Sequence, residues 1–568
     1  MGVEDKGHFT LIDYSFFVIV FVVSAAIGLY YAIKTRRKDV SVDDYLLGGR
    51  KMKLLPVACS LTATSLSGTT LVGTPAETYA HGTHTWMFCF NITVTAILMS
   101  YVFLPIFIEL KLTCIFKYFE LRFSRKVRFM ASGIYILTGF VFLSSTVYVP
   151  ALTFQRVTGV NIYITVTVLS LLCTSYTAFG GFKAVVWTDV IQLLLMIGSY
   201  VTVIIIGIQA AGGVENVFES AERGGRIVIA NTNPNSRSSI LAYIFSSTLT
   251  FLYQFGLSQA TFQRYLSLPT LKAMKLSSWI LAFVFGMFTI LASILGTIIY
   301  ANYETCDPYT TGRIQKLDHI LPHFIQEKAY LFHGFNGIFI AGIFSGSLST
   351  TSSYLNAMSG VIYEDFISQK LPSLSANTAN RTMKFIVCIL GVIQIVMIFL
   401  IEKMGMIHQI TVQCMALNTG ALLTLFLLGA LIPKANSKGA LVGSLTALVT
   451  TMILIIGSIN KKPEPTLLFR TDGCINNSSN FSLAPNSTLQ FVENAGDSEE
   501  LFWIFRLSYV YFGLVGTVMG VIVGYLTSLV SGGSRVRDQK LLATFVRRKL
   551  YSEDTKLTNI NQDNVPAN

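Results

Sequence analysis

Residues 54–82 read LLPVACSLTATSLSGTTLVGTPAETYAHG. As a helix this stretch is long enough to cross the ~30 Å hydrocarbon core of a bilayer. Its middle, however, crowds together Ser60, Thr62, Thr64, Ser65, Ser67, Gly68, Thr69 and Thr70. Polar groups in hydrocarbon are expensive, so their placement carries information. One reading is a tightly packed small-residue interface between helices. The other is a discontinuous helix whose freed carbonyls bind an ion. Taken alone, the stretch supports both.

The surrounding chain sets the class. Of 568 residues, 52% are hydrophobic and only 13% charged, and the mean hydropathy is +0.58. A soluble protein of this size needs more charge to cover its surface. The apolar residues come in long runs: residues 12–33, IDYSFFVIVFVVSAAIGLYYAI, carry one acid, near the start, and 190–210 and 276–300 are similar. Backbone groups in lipid must be satisfied within the segment, so these runs are helices. The first is too long for a cleaved signal peptide and follows an acidic N-terminus. We expect an all-α polytopic membrane protein with about thirteen spans: 12–34, 54–80, 86–110, 129–154, 160–180, 187–210, 239–263, 276–300, 333–360, 383–402, 406–432, 439–458 and 503–530.

Basic residues choose the side. Lys34, Arg36, Arg37, Lys38, Arg50, Lys51 and Lys53 follow the first span; Lys111, Lys117, Arg122, Arg125, Lys126 and Arg128 follow the third. Arg535, Arg537, Lys540, Arg547, Arg548 and Lys549 lie in the tail. The positive-inside rule makes that face cytoplasmic. The expected layout is an extracellular N-terminus (1–11), a transmembrane domain (12–531) and a cytoplasmic tail (532–568) at the plasma membrane. The net charge of +12 then reflects topology, and without interleaved aromatics it does not point to nucleic acid. The outer loop 459–502 packs four glycosylation sequons, at Asn476, Asn477, Asn480 and Asn486. Of eight cysteines, Cys306 and Cys474 alone fall in outer loops, where they either pair in an oxidising compartment or remain free thiols. Neither a Walker loop nor a His/Cys metal pattern is visible.

Three further spans carry polar groups. In AGIFSGSLSTTSSYLNAMSG (341–360), Ser345, Ser349, Ser352 and Asn356 share one helix face, and Ser349 and Thr350 form a mid-membrane hydroxyl pair. Such hydroxyls often bond only to the preceding turn. A hard cation such as Na⁺ wants oxygen ligands, however, and the pair supplies them without burying a net charge. In GGFKAVVWTDVIQ (180–192), Asp189 either caps a helix N-terminus or attracts a cation on its way to the cytoplasm. In FLYQFGLSQATFQRY (251–265), Gln254, Gly256, Ser258 and Gln259 interrupt an apolar run. Interrupted helices at matching places in two halves, spans 2–6 and 7–11, are the pointer to an inverted-repeat binding site.

At these residues the chain resembles the sodium:solute symporter family, and most closely its monocarboxylate, multivitamin and iodide branch. The resemblance spans nearly the whole chain. It rests on YLLGGRKM (45–52), VGTP (72–75), ELRF (120–123), VPALTFQRVTG (149–159), GGFKAVVWTDVIQ (180–192), CDPYT (306–310) and, most specifically, SGSLSTTSSYLNAMSGVIYEDFI (345–367). It implies a leucine-transporter-like fold of two inverted five-helix repeats. It also implies a sodium site built from carbonyls of Ala63, Leu66 and Gly346 and hydroxyls of Ser349 and Thr350. Asp189 would line the sodium exit path. Ser67 and Thr70 would belong to a substrate or second-ion region, to which the polar groups Gln254, Ser258 and Gln413 are candidate additions.

The chain departs from the branch at Ala80-His81, where a Tyr-Arg pair is usual, and at Thr419-Gly420-Ala421, where Gly-Gly-Pro is usual. The latter span also carries His408, Gln409, Gln413 and Asn418, either as interhelical hydrogen bonds or as an altered site. The function implied is Na⁺-coupled import of a small organic anion, a monocarboxylate or a vitamin-like carboxylate, by alternating access. Iodide or another small solute, and a sodium-gated sensor or channel on the same fold, are the alternatives. Partners are Na⁺, the anion and the bilayer; Na⁺ is the co-transported ion, with no organic cofactor. A homo-oligomer is left open. An intramembrane enzyme lacks its paired nucleophile and base.

Overall fold

The computed structural model describes residues 9–36, 41–228, 239–328, 334–371, 375–402, 407–459, 466–474, 503–533, 536 and 538–550. The four sequon asparagines lie outside these, as do the side chains of His408 and Gln409.

The chain begins with α1 (Leu11–Arg36), then α2 (Leu54–Ser65) and α3 (Gly68–His81), which are bent by 58° across a two-residue break. Next come α4 (Thr83–Leu110), α5 (Arg125–Thr158) and α6 (Ile162–Ala210). The second half opens with α7 (242–257) and α8 (Gln259–Leu266), again interrupted, followed by α9 (Leu271–Tyr303) and α10 (Phe335–Ile362). It closes with α11 (Ala376–Ile401), α12 (Ile410–Leu431), α13 (Ser437–Gly457) and α14 (Tyr509–Val530).

Nine helices among the described residues are long and apolar enough to cross a membrane, or ten with α2–α3 as one broken span. The expected thirteen differs for physical reasons. At 1.5 Å per residue, the 49 residues of α6 would run about 74 Å, over twice the hydrocarbon thickness. Gly181, at φ 63° and ψ −163°, breaks it, and a Cβ there would press within 3.0 Å of the Tyr45 ring. We therefore read α6 as two crossings. The broken α7–α8 and the serine-rich α10 are each read as one, although neither passes on apolar length alone.

α10 is the axis of the bundle. Nearly all its residues are buried, so it is enclosed by protein rather than lipid, packed among α1, α3, α5 and α6. Its start is fixed by α1: the Asp13 carboxylate accepts the Gly337 N–H at 2.8 Å, an acid at a helix N-terminus. α13 and α14 pack as a peripheral pair through glycines. A Cβ on Gly443 would lie 2.5 Å from the Gly520 carbonyl oxygen, so only small residues allow this approach.

Candidate functional site

The break in the second span falls at Leu66 and Ser67. Leu66 leaves the helix at φ −95°, ψ 87°, and Ser67 is extended, its hydroxyl accepting from the Thr70 N–H to start α3. Ending α2 here strips its last carbonyls of helical partners. α10 supplies new ones. Ser349 Oγ donates to the Ala63 carbonyl at 2.9 Å and to that of Gly346 at 3.1 Å. Thr350 Oγ1 donates to the carbonyls of Thr64 at 3.2 Å and Gly346 at 3.0 Å. The Leu66 carbonyl oxygen lies 3.0 Å from where a Gly346 Cβ would stand, so glycine keeps this approach open. Ala63, Leu66, Gly346, Ser349 and Thr350 thus share one buried cluster of carbonyl and hydroxyl oxygens with no formal charge among them, a donor set suited to a hard monovalent cation.

Asp189 does not cap a helix. The second segment of α6 starts after Gly181, which leaves Asp189 about two turns inside it and fully buried. Its Oδ2 accepts from Ser60 Oγ at 2.5 Å and from Arg264 Nη2 at 2.9 Å, while Oδ1 has no hydrogen-bond partner among the described residues. Arg264, on α8 and 1% exposed, also donates from Nε to Ser60 at 2.7 Å and from Nη2 to Ser353 Oγ. Ser353 in turn meets Thr64 at 2.8 Å and the Ser349 carbonyl at 2.6 Å. One polar network therefore runs from the hydroxyl pair to a buried ion pair. Sequence reading missed Arg264: beside a span end, an arginine resembles any inner-face basic residue.

The residues expected at a substrate region divide. Ser67 and Thr70 bond to each other at 3.1 Å and serve the start of α3. Ser258 ends the first part of the seventh span in an extended conformation and lies 3.5 Å from the Tyr354 hydroxyl. Gln254 and Gln413 are half-buried, and among the described residues no hydrogen bond joins either to Ser67 or Thr70. A small cavity of about 10 Å³, the size of one water, sits between α5, α7, α10 and α12. Tyr135, Tyr253, Tyr354, Cys414 and Asn418 line it. Asn418 spends its amide on Thr138 Oγ1 at 2.8 Å, an interhelical bond. The tyrosines gave no sequence signal, since aromatics are ordinary in spans.

Both ends of the bundle are tied. At the C-terminal end of α3, Tyr79 donates to Asp307, the Leu467 N–H bonds the Ala80 carbonyl at 2.9 Å, and Phe469 stacks on Tyr79 at 5.4 Å. Arg226 lies over the Tyr300 ring at 4.2 Å, and a disulfide joins Cys306 to Cys474. At the other end, Arg128 pairs with Asp365 and Glu120, and Arg122 Nε donates to the Gly429 carbonyl at 2.9 Å.

The sodium:solute symporter family model matches residues 45–447. The mouse sodium-coupled monocarboxylate transporter 2 is 35% identical over 94% of this chain and 86% of its own. The human sodium-coupled monocarboxylate transporter 1 is 34% identical over 93% and 88%, and the rabbit sodium-dependent multivitamin transporter 33% identical over 93% and 84%. Among solved structures, a Na⁺-coupled sialic acid symporter in its outward-open state superposes with a TM-score of 0.74 at 22% identity, covering 93% of this chain and all of that one. The fold is therefore the leucine-transporter type, with interrupted helices opening each half, and the chain belongs to the sodium:solute symporter family.

Proposed function

We propose that this protein imports a small organic anion, a monocarboxylate or vitamin-like carboxylate, together with Na⁺ across the plasma membrane. The observation that carries the reading is the approach of Ser349 and Thr350 to the carbonyls freed by the break in the second span. Na⁺ would sit among Ala63, Leu66, Gly346, Ser349 and Thr350, and would leave past Oδ1 of Asp189. The identity of the relatives supports the solute class. Na⁺ bound close by would balance the charge of a carboxylate. Each cargo then favours the state that the other favours, which is the condition for coupling.

In this reading the loops 301–332 and 459–502 face outside, the sequons of the latter carry glycans, and the termini lie on opposite sides. One Na⁺ moving down about 100 mV releases ~2.3 kcal/mol, and a tenfold gradient adds ~1.4 kcal/mol. The test is uptake and voltage-clamp current in oocytes, with lactate, nicotinate, pantothenate, biotin and iodide applied with and without Na⁺. Na⁺-dependent uptake of a carboxylate is expected. Uptake of iodide alone, or Na⁺ current without any solute uptake, would sink the proposal.

A further inference from the structure

Away from the ion path, α1, the first segment of α6 and the start of α11 enclose a groove of about 860 Å³. Its floor is Gly28, where a Cβ would overlap Tyr176 at 2.5 Å, so α1 lies directly against α6. Leu29 and Phe179 line it at 62% and 59% exposure; on a helix inside a bilayer such faces meet acyl chains. The other lining is polar. Arg381 and Lys384, one turn apart on α11, share a face with Asn377 and Asn380. No ion pair engages Arg381 or Lys384 among the described residues, and Lys384 is half-buried. Cations without carboxylates, opening onto an apolar trough, are complementary to one amphiphile: a phosphate headgroup with hydrocarbon attached.

We propose that this groove binds an anionic glycerophospholipid. Arg381 and Lys384 hold its phosphate and headgroup, Asn377 adds a polar contact, and the acyl chain lies along Leu29, Ala32 and Phe179. Only the choice of leaflet, the cytoplasmic one, rests on the orientation proposed above; the binding itself does not.

The test uses the full-length protein in nanodiscs of phosphatidylcholine doped with phosphatidylserine, with retained lipid counted by native mass spectrometry. Two basic residues at an anionic site are worth about thirtyfold, so phosphatidylserine should be retained about thirtyfold over phosphatidylcholine. Arg381→Gln/Lys384→Gln should bring the ratio near unity while Na⁺ still raises the melting temperature, which shows that the fold survives. Ala32→Trp, which fills the apolar part and leaves both cations, should also lose the lipid. Equal retention of the two lipids by the unaltered protein overturns the proposal, as does full phosphatidylserine retention by either variant. Binding of chain-free glycerophosphoserine as tight as that of the lipid would make this a soluble-anion site and overturn it too. None of these readouts uses transport, so the failure of either proposal leaves the other standing.

Discussion

The two interrupted helices use one backbone device in different surroundings. Both breaks end at an extended serine, Ser67 at φ −79°, ψ 160° and Ser258 at φ −63°, ψ 127°. Ser67 spends its hydroxyl on its own helix; Ser258 makes no capping bond and reaches toward Tyr354. Around the first break stand carbonyls and the small hydroxyls of α10. Around the second stand Tyr253, Phe255 and Tyr354. A break supplies free backbone and space, and the neighbouring side chains decide what that space suits: bare oxygen for an ion, rings with a few hydroxyls for an organic solute.

The largest test removes the link between the two breaks. Arg264→Gln leaves Asp189 as an uncompensated buried charge, which typically costs about 3–5 kcal/mol. A large fall in melting temperature and loss of Na⁺-dependent uptake are expected; a variant as stable as the parent would show that the pair does not join the halves. Next, Ser349→Ala or Thr350→Ala should raise the Na⁺ half-saturation concentration about tenfold to a hundredfold, the scale of a hydrogen-bonding group lost from an ion. The solute KM at saturating Na⁺ should barely move.

The converse variants sharpen the contrast. Ser258→Ala and Tyr354→Phe should raise the solute KM roughly threefold to tenfold, the scale of a neutral hydrogen bond, with the Na⁺ half-saturation unchanged. If Na⁺ affinity falls equally, the two breaks do not divide their cargo as described.

The smallest effect is expected from the cover of α3, the second half of the first broken helix, which packs against the turn holding His319. Burial, helped by Arg156 and Lys316, pushes the His319 pKa down from the ordinary imidazole value of about 6.5 to about 4. Between those values the unfolded chain binds the extra proton, so stability present at neutral pH is lost as pH falls from about 6.5 toward 4. Melting temperature should drop by a few degrees on acidification, and His319→Asn should flatten that drop.

Much of this was legible in the sequence, because membranes make polarity conspicuous. Eight serines, threonines and glycines in residues 60–70, and the adjacent Ser349 and Thr350, stand out against hydrocarbon. The interruption at Ser258 was visible for the same reason. What was hidden depended on pairing at a distance. Arg264 finds Asp189 from 75 positions away, and nothing near either residue announces the other. The capping reading of Asp189 failed because Gly181 starts its segment earlier than the apolar run does. The Tyr135–Tyr354 wall is composed of residues that any span can carry.

The bond between Cys306 and Cys474 has a consequence for biogenesis. The cysteines are 168 positions apart, and α10 to α13 lie between them. They can meet only if the chain crosses the membrane an even number of times in that interval, and only on the oxidising face. A nascent chain that fails to insert one of those helices delivers the two thiols to opposite compartments. Oxidation of this pair therefore records correct insertion of the second half, and mobility on a non-reducing gel reads that record without any assay of transport.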